Sequence, residues 1–192
     1  MQITEWRQFI KNGLSLNEKK TSMTVGVFDG VHRGHQALIE RVVSFNEKYA
    51  PVVVTFKQNH KTKNKEQRTE SNELCDILTF RQRLDLFEKL GIQITVAVDF
   101  SDEFKKTPGI EFLKILLQRG NVGFFAAGSD FRCGYQLDTD SAAIESFFSS
   151  HNIPVEIVPQ VMEGALPVSS SRIRAAIASG DLALADAMLG EF

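Results

Sequence analysis

Short apolar, β-branched runs alternate along this chain with segments whose apolar residues recur every three to four positions. That alternation predicts an α/β domain with a parallel sheet. The runs at 23–28, 52–56, 94–98, 122–127 and 155–161 are the predicted strands. Between them the helical period covers 34–49, 80–90, 108–119 and 141–151, each long enough to cross back over a sheet. Two shorter helices, 169–179 and 181–189, follow the fifth strand and are separated by Gly180. The expected architecture is a doubly wound, five-stranded parallel sheet. The first twenty residues carry only enough pattern for a small amphipathic helix around Trp6, Phe9 and Ile10.

Local signals sharpen some boundaries. Thr79 and Gln82 have the spacing of a capping box, and Gly91 follows Leu90 where a C-terminal glycine belongs. Pro108 suits a first helical position with Thr107 as its cap. Residues 57–72 are rich in Lys, Asn, Gln and Thr and have no apolar period. They read as a long loop, and a flexible lid or rim at the carboxyl edge of the sheet is preferred to a linker.

Composition narrows the class without naming a function. At 192 residues, with 43% hydrophobic and 24% charged, the chain has the apolar mass for one folded domain, so disorder, collagen and coiled coil are excluded. Twenty-two basic against 24 acidic residues leave a formal charge of −2, which argues against nucleic acid as a partner but leaves a local phosphate site open. Cys75 and Cys133 cannot build a disulfide framework or a four-cysteine zinc site. The N-terminus is polar and no apolar run approaches a membrane span, so a cytoplasmic protein without a membrane partner is expected.

The chemistry concentrates where the first predicted strand turns into a helix, at Val25-Gly26-Val27-Phe28-Asp29-Gly30-Val31-His32-Arg33-Gly34-His35. Gly30 and Gly34 allow a tight turn and close approach of backbone to a ligand. The first N–H groups of the following helix are unpaired donors at a positive dipole end, which suits an anion. Two imidazoles beside them add directional donors for charge that develops in phosphoryl or nucleotidyl transfer. The glycine spacing fits neither a P-loop nor the dinucleotide fingerprint. A histidine pair that only caps the helix and a zinc site completed by His60, His151, a carboxylate or a cysteine remain alternatives.

Other polar clusters open or follow elements. Consecutive hydroxyls at Ser169, Ser170 and Ser171 begin a helix, and Arg174 one turn in can fork onto phosphate oxygens; an ordinary serine cap reads the same way. Gly128 to Gly134 follow the fourth predicted strand. There Asp130 is either an acceptor for ribose hydroxyls or an adenine amine, or a turn former.

The first of these segments resembles the phosphate-binding signature of the nucleotidyltransferase superfamily, and Gly-x-Phe-Asp-Gly-Val-His-x-Gly-His as a whole is similar to bacterial FAD synthetases. Thr55-Phe56-Lys57-Gln58-Asn59 falls where that family has Thr-Phe-x-Pro followed by His or Asn. Residues 128–134 resemble Gly-x-Asp-Phe-x-Phe-Gly, residues 168–174 resemble Val-Ser-Ser-Thr-x-Ile-Arg, and Leu189-Gly190 matches the family's closing Leu-Gly. The chain departs from the pattern at Val27 for Asn, Cys133 for a Phe expected at the nucleotide pocket, Ser171 for Thr, and Gln58 and His60 for flanking prolines.

The resemblance implies a Rossmann-like nucleotidyltransferase fold and an FMN adenylyltransferase that joins ATP to FMN, giving FAD and pyrophosphate. It implies His32, His35 and Arg174 as catalytic residues, acting at the α/β-phosphates and the leaving group. Nucleotide contacts are implied at Gly26, Val27, Phe28, Asp29, Gly34, Gly128, Asp130, Ser170 and Ser171, and flavin contacts at Phe56 and Asn59. Mg2+ would be held mainly by ATP phosphates, with no protein metal ligands. The chain finishes where bifunctional relatives continue into a riboflavin kinase module, so residues 1–192 are expected to be one adenylyltransferase domain without kinase activity. A nucleotidyltransferase for another phosphate acceptor and a binder of nucleotide or flavin without turnover are the rival readings.

Overall fold

The computed structural model describes residues 1–16, 19–57 and 76–190. Six strands, β1 (Gln2–Glu5), β2 (Thr21–Gly26), β3 (Ala50–Phe56), β4 (Ile94–Val98), β5 (Val122–Gly128) and β8 (Val155–Val158), form one sheet in the order β1-β4-β3-β2-β5-β8. Every neighbouring pair in it is parallel. From β2 the chain winds outward through β3 and β4, then returns to β2's other side with β5. The carboxyl ends of β2 and β5 therefore flank the switch point where open α/β sheets bind ligands.

The sheet has one strand more than the five expected. The addition, β1, lies at the edge beside β4 in the register Gln2 to Ile94 and Ile3 to Thr95. Gln-Ile-Thr-Glu has no apolar run because only Thr4 is buried, as an edge strand allows. The amphipathic segment that follows is helix α1 (Trp6–Asn12), which buries Trp6 and Phe9.

Successive side chains of a strand point to opposite faces, and both faces of this sheet are covered. Val52 and Val54 join Phe9, Leu113, Phe125 and Phe148 in a core under α1, α4 (Gly109–Gly120) and α5 (Ser141–Ser150). Val53 and Phe124 face the other way, packing with Ile39, Val42 and Phe87 of α2 (Arg33–Val43) and α3 (Phe80–Lys89). Two-sided burial explains why these strands read as unbroken apolar runs. A smaller core around Ile173 and Met188 joins α6 (Ser170–Ala178) to α7 (Leu182–Leu189).

The capping box of α3 is present: Thr79 Oγ1 accepts from Gln82 N at 3.3 Å, and Gln82 Oε1 accepts from Thr79 N at 2.9 Å. At α4 the expected cap is corrected. Pro108 is itself the N-cap, which leaves Thr107 one residue outside the helix, and Asp138 Oδ1 instead accepts from Gly109 N at 3.0 Å. Asp138 belongs to the loop of a small hairpin, β6 (Arg132–Cys133) and β7 (Thr139–Asp140), that the sequence pattern did not reveal. A second hairpin, β9 (Met162–Glu163) with β10 (Leu166–Pro167), precedes α6. The helix expected over 34–49 is shorter, because hydrogen-bonded turns replace it after Val43. The lid expected at residues 57–72 lies, beyond Lys57, outside the described residues.

Candidate active site

Between β2 and α2 the backbone is held in an uncommon shape. Phe28 and Val31 both have positive φ, 54° and 42°, on either side of Asp29 and Gly30. Left-handed backbone is costly for a β-branched residue and tends to persist only where surrounding packing enforces it. Here the enforcement is apolar: Phe28 and Val31 are fully buried, and the Phe28 ring meets Phe87 edge-on at 5.6 Å. Gly26 makes room for this ring, since a Cβ at that position would stand 3.0 Å from it.

The turn aims both histidines of the motif into one cavity. Their rings stack, with centroids 3.6 Å apart and planes 18° from parallel, and His35 also meets Phe28 at 5.2 Å. His32 is the N-cap residue of α2 by backbone position, yet its side chain makes no capping hydrogen bond. The reading of a simple histidine cap is thereby corrected for His32. The Nδ1 atoms of both rings are buried without a hydrogen-bond partner among the described residues. Burial pushes the His32 imidazole down to about 4, against the pull of Asp29 in the opposite direction. His35 is also lowered, by burial first and then by the neighbouring His32 and Arg83. Both are therefore neutral near pH 7, and two buried polar atoms there await a partner.

The cavity they enter has a volume of about 420 Å³. Gly26, Val27, Phe28, Asp29, His32, Gly34 and His35 line it from the β2–α2 side, Gly128 and Asp130 from the end of β5, and Ser170, Ser171 and Arg174 from α6. These are all of the residues singled out for nucleotide contact or catalysis, drawn from three separate stretches of chain. Two helix N-termini, those of α2 and α6, contribute to the same space. Ser169 caps α6 by accepting from Arg172 N at 3.3 Å, while Ser170 Oγ donates to the Asp29 carbonyl at 2.8 Å. Asp130 Oδ2 accepts from Gln160 Nε2 at 3.0 Å.

Asp29 has a larger structural part than its sequence position suggested. Its Oδ1 accepts from Ile77 N at 2.9 Å, and its Oδ2 pairs with Arg174. The turn is thus tied to the approach to α3 and to α6 at once.

Phe56 does not line this cavity. It borders a second, apolar pocket of about 120 Å³ with Phe100, Phe104, Phe112 and Phe131. Phe56 meets Phe100 and Phe104 edge-on at 5.6 and 5.8 Å. Cys133 also lines this smaller pocket rather than the larger cavity, and burial pushes its thiol up to about 12, so it is not a nucleophile near neutral pH. Asn59 lies outside the described residues.

Sequence reasoning missed Arg83. Its residue surface is 1% exposed, and its guanidinium donates to the carbonyls of Val27 at 2.6 Å and Phe56 at 3.0 Å, joining the ends of β2 and β3. An available signal was its place four residues before buried Phe87, on the apolar face of α3.

The donors facing the larger cavity are imidazoles, hydroxyls, the arginines Arg132 and Arg174 and helix amides, a set suited to an anion. Among the described residues no group of three or more His, Cys, Asp and Glu is arranged to hold a metal ion, and no helix is long and apolar enough to cross a membrane.

Comparison with known proteins agrees with the motifs. A model of the FAD synthetase family matches residues 14–172. The bifunctional riboflavin kinase/FMN adenylyltransferase of Escherichia coli is 28% identical over 170 residues, covering 88% of this chain and 53% of that protein. The FAD synthetase of Listeria monocytogenes is 25% identical over 168 residues, covering 88% of this chain and 68% of its own length. A solved structure from Streptococcus pneumoniae, described as a macrolide-efflux protein, superposes with a TM-score of 0.83 at 24% identity, over 99% of this chain and 60% of that one. That likeness shows a shared fold. The chain spans about half the length of the bifunctional relatives it matches.

Proposed function

This chain belongs to the FAD synthetase family, and from that premise we propose that it transfers the adenylyl group of ATP to FMN in the cytoplasm. An oxygen of the FMN phosphate forms a bond to the α-phosphorus of ATP, the bond from that phosphorus to the α,β-bridging oxygen breaks in line, and FAD and pyrophosphate leave. The attacking phosphate is already a nucleophile, so no side chain forms a covalent intermediate, and catalysis is positioning and charge stabilisation.

The observation that carries this reading is the pair of stacked, neutral imidazoles with unpartnered Nδ1 atoms at the start of α2, in the cavity that the start of α6 also enters. A polyphosphate supplies the acceptors that such buried polar atoms lack. His32 and His35 hold the α- and β-phosphates. Ser170, Ser171 and Arg174 receive the leaving pyrophosphate, with helix amides between them. Gly26, Val27, Phe28, Asp29 and Gly34 shape the cradle, and Gly128 and Asp130 hold the adenosine. The aromatic pocket at Phe56 accepts the flavin ring, and the family resemblance adds Asn59 as a flavin contact.

Mg2+, when bound, neutralises phosphate charge. It would be held mainly by oxygens of the ATP phosphates.

The test is an incubation with ATP, Mg2+ and a panel of acceptors: FMN, riboflavin, nicotinamide mononucleotide and phosphopantetheine. FAD and pyrophosphate from FMN alone are the expected products. Pyrophosphate released with another acceptor would reassign the substrate, and nucleotide or flavin binding without any pyrophosphate would make the protein a binder.

A further inference from the structure

Taking FMN as the acceptor, the flavin ring and the ATP phosphates lie in different pockets, so the attacking phosphate must sit where the pockets meet. Four residues line both: Val27, Phe131, Arg132 and Leu137. Three of these have apolar side chains. We infer that Arg132 binds the phosphate of FMN and sets it against the α-phosphorus, which makes it the residue that distinguishes FMN from riboflavin.

The other cations are placed or engaged differently. Lys105 lines only the aromatic pocket and pairs with Asp102 at 2.9 Å. Arg174 lines only the larger cavity and pairs with Asp29. Among the described residues Arg132 is the cation common to both spaces. It stands on β6 opposite Asp140 in register, but the Asp140 carboxylate accepts from Ala143 N at 3.0 Å as the cap of α5.

The strand is also well anchored for such a task. Gly134, immediately after it, has its α-carbon pressed against the start of α4, where an added Cβ would fall 2.2 Å from Gly109 N. An arginine on a fixed strand presents a planar fork to a phosphate dianion, and it does so with two donors that a neutral hydroxyl cannot engage as strongly.

The assignment rests on the FMN reading, and the experiment separates the two. Binding of FMN and of riboflavin is measured by quenching of flavin fluorescence in the wild-type chain, Arg132→Gln and Arg132→Lys, with magnesium pyrophosphate present. The wild type should bind FMN at least about tenfold more tightly than riboflavin, as expected for a charge-assisted phosphate contact. Arg132→Gln should bring the two within about twofold while riboflavin affinity is kept, and Arg132→Lys should fall between. In turnover, Arg132→Gln should raise the KM for FMN and leave the KM for ATP unchanged. An undiminished preference for FMN in Arg132→Gln, or equal binding of both flavins by the wild type, would overturn the role of Arg132. Binding of neither flavin by the wild type would overturn the FMN reading and this assignment with it.

Discussion

Arg174 of α6 is ion-paired with Asp29, 145 positions earlier in the chain, and the Asp29 side chain is 4% exposed. An expected catalytic residue therefore serves as the counter-ion of an expected nucleotide contact, and α6 is fastened to the turn that carries the histidines. Arg174→Met removes the partner of a buried carboxylate, a change that costs about 3 kcal/mol in comparable cases. Chemical denaturation should show that loss, together with a drop of at least about tenfold in turnover. A variant with wild-type stability would mean that the pair does not hold the two segments together.

Acid should weaken the ligand-free protein through His32. In the unfolded chain this imidazole takes up a proton near 6.5, whereas in the folded chain it does so only at about 4. Between those values the unfolded state binds more protons, so stability falls as the pH is lowered through this window. The contribution from His32 reaches roughly 3 kcal/mol at the acid end. Unfolding free energies measured at intervals from pH 7 to pH 4 should decline less steeply in His32→Asn than in the wild type. Parallel curves would mean that the acid sensitivity arises at other groups.

Arg83 joins the ends of β2 and β3 by donating to carbonyls of Val27 and Phe56, while its guanidinium also lies 5.2 Å from the Phe80 ring. Arg83→Met keeps much of the volume but strands those carbonyls, at a cost of at least about 2 kcal/mol. Because Val27 borders both pockets and Phe56 borders the second, the KM for FMN should rise as well. Arg83→Lys retains the charge without the planar fork, so it should recover little of either property. Full recovery by lysine would show that charge alone matters.

Two glycines separate backbone strain from crowding. Gly134 and Gly164 both have positive φ, 86° and 63°, but an added Cβ would lie 2.1 Å from Asp138 Oδ1 at the first and would meet nothing within 4 Å at the second. Gly164→Ala should cost about 1 kcal/mol from its backbone alone. Gly134→Ala must also push apart β6 and the start of α4, so a loss of at least about 3 kcal/mol, or failure to fold, is expected. Equal melting temperatures for the two variants would remove the crowding argument.

Particular residues show where reading the chain stopped. Val52, Val53 and Val54 announce a central strand because both faces of the sheet bury them, and Thr79 with Gln82 marks a helix start because the bonds concerned span three residues. Gln2–Glu5 has no comparable pattern. It becomes a strand because β4 offers an edge of unpaired backbone groups, which is a property of β4's position in the sheet. The part of Asp138 as an acceptor at the start of α4 is hidden for a similar reason: it reaches Gly109 from 29 residues away.

By itself, the sequence determined the alternation of strands and helices, the turn from β2 into α2 and the polar residues His32, His35 and the serines that open α6 as candidates for an anion site. All of these depend on side-chain period and on backbone bonds between near neighbours. The tertiary structure decided which of these pieces share a space. Only the winding of the sheet in both directions from β2 brings α6 and the end of β5 to the histidines, buries Asp29 against Arg174, ties Arg83 to the ends of β2 and β3 and sets Arg132 where two pockets meet. Such contacts join residues dozens of positions apart, and their partners are selected by the packing of whole layers rather than by any pattern along the chain.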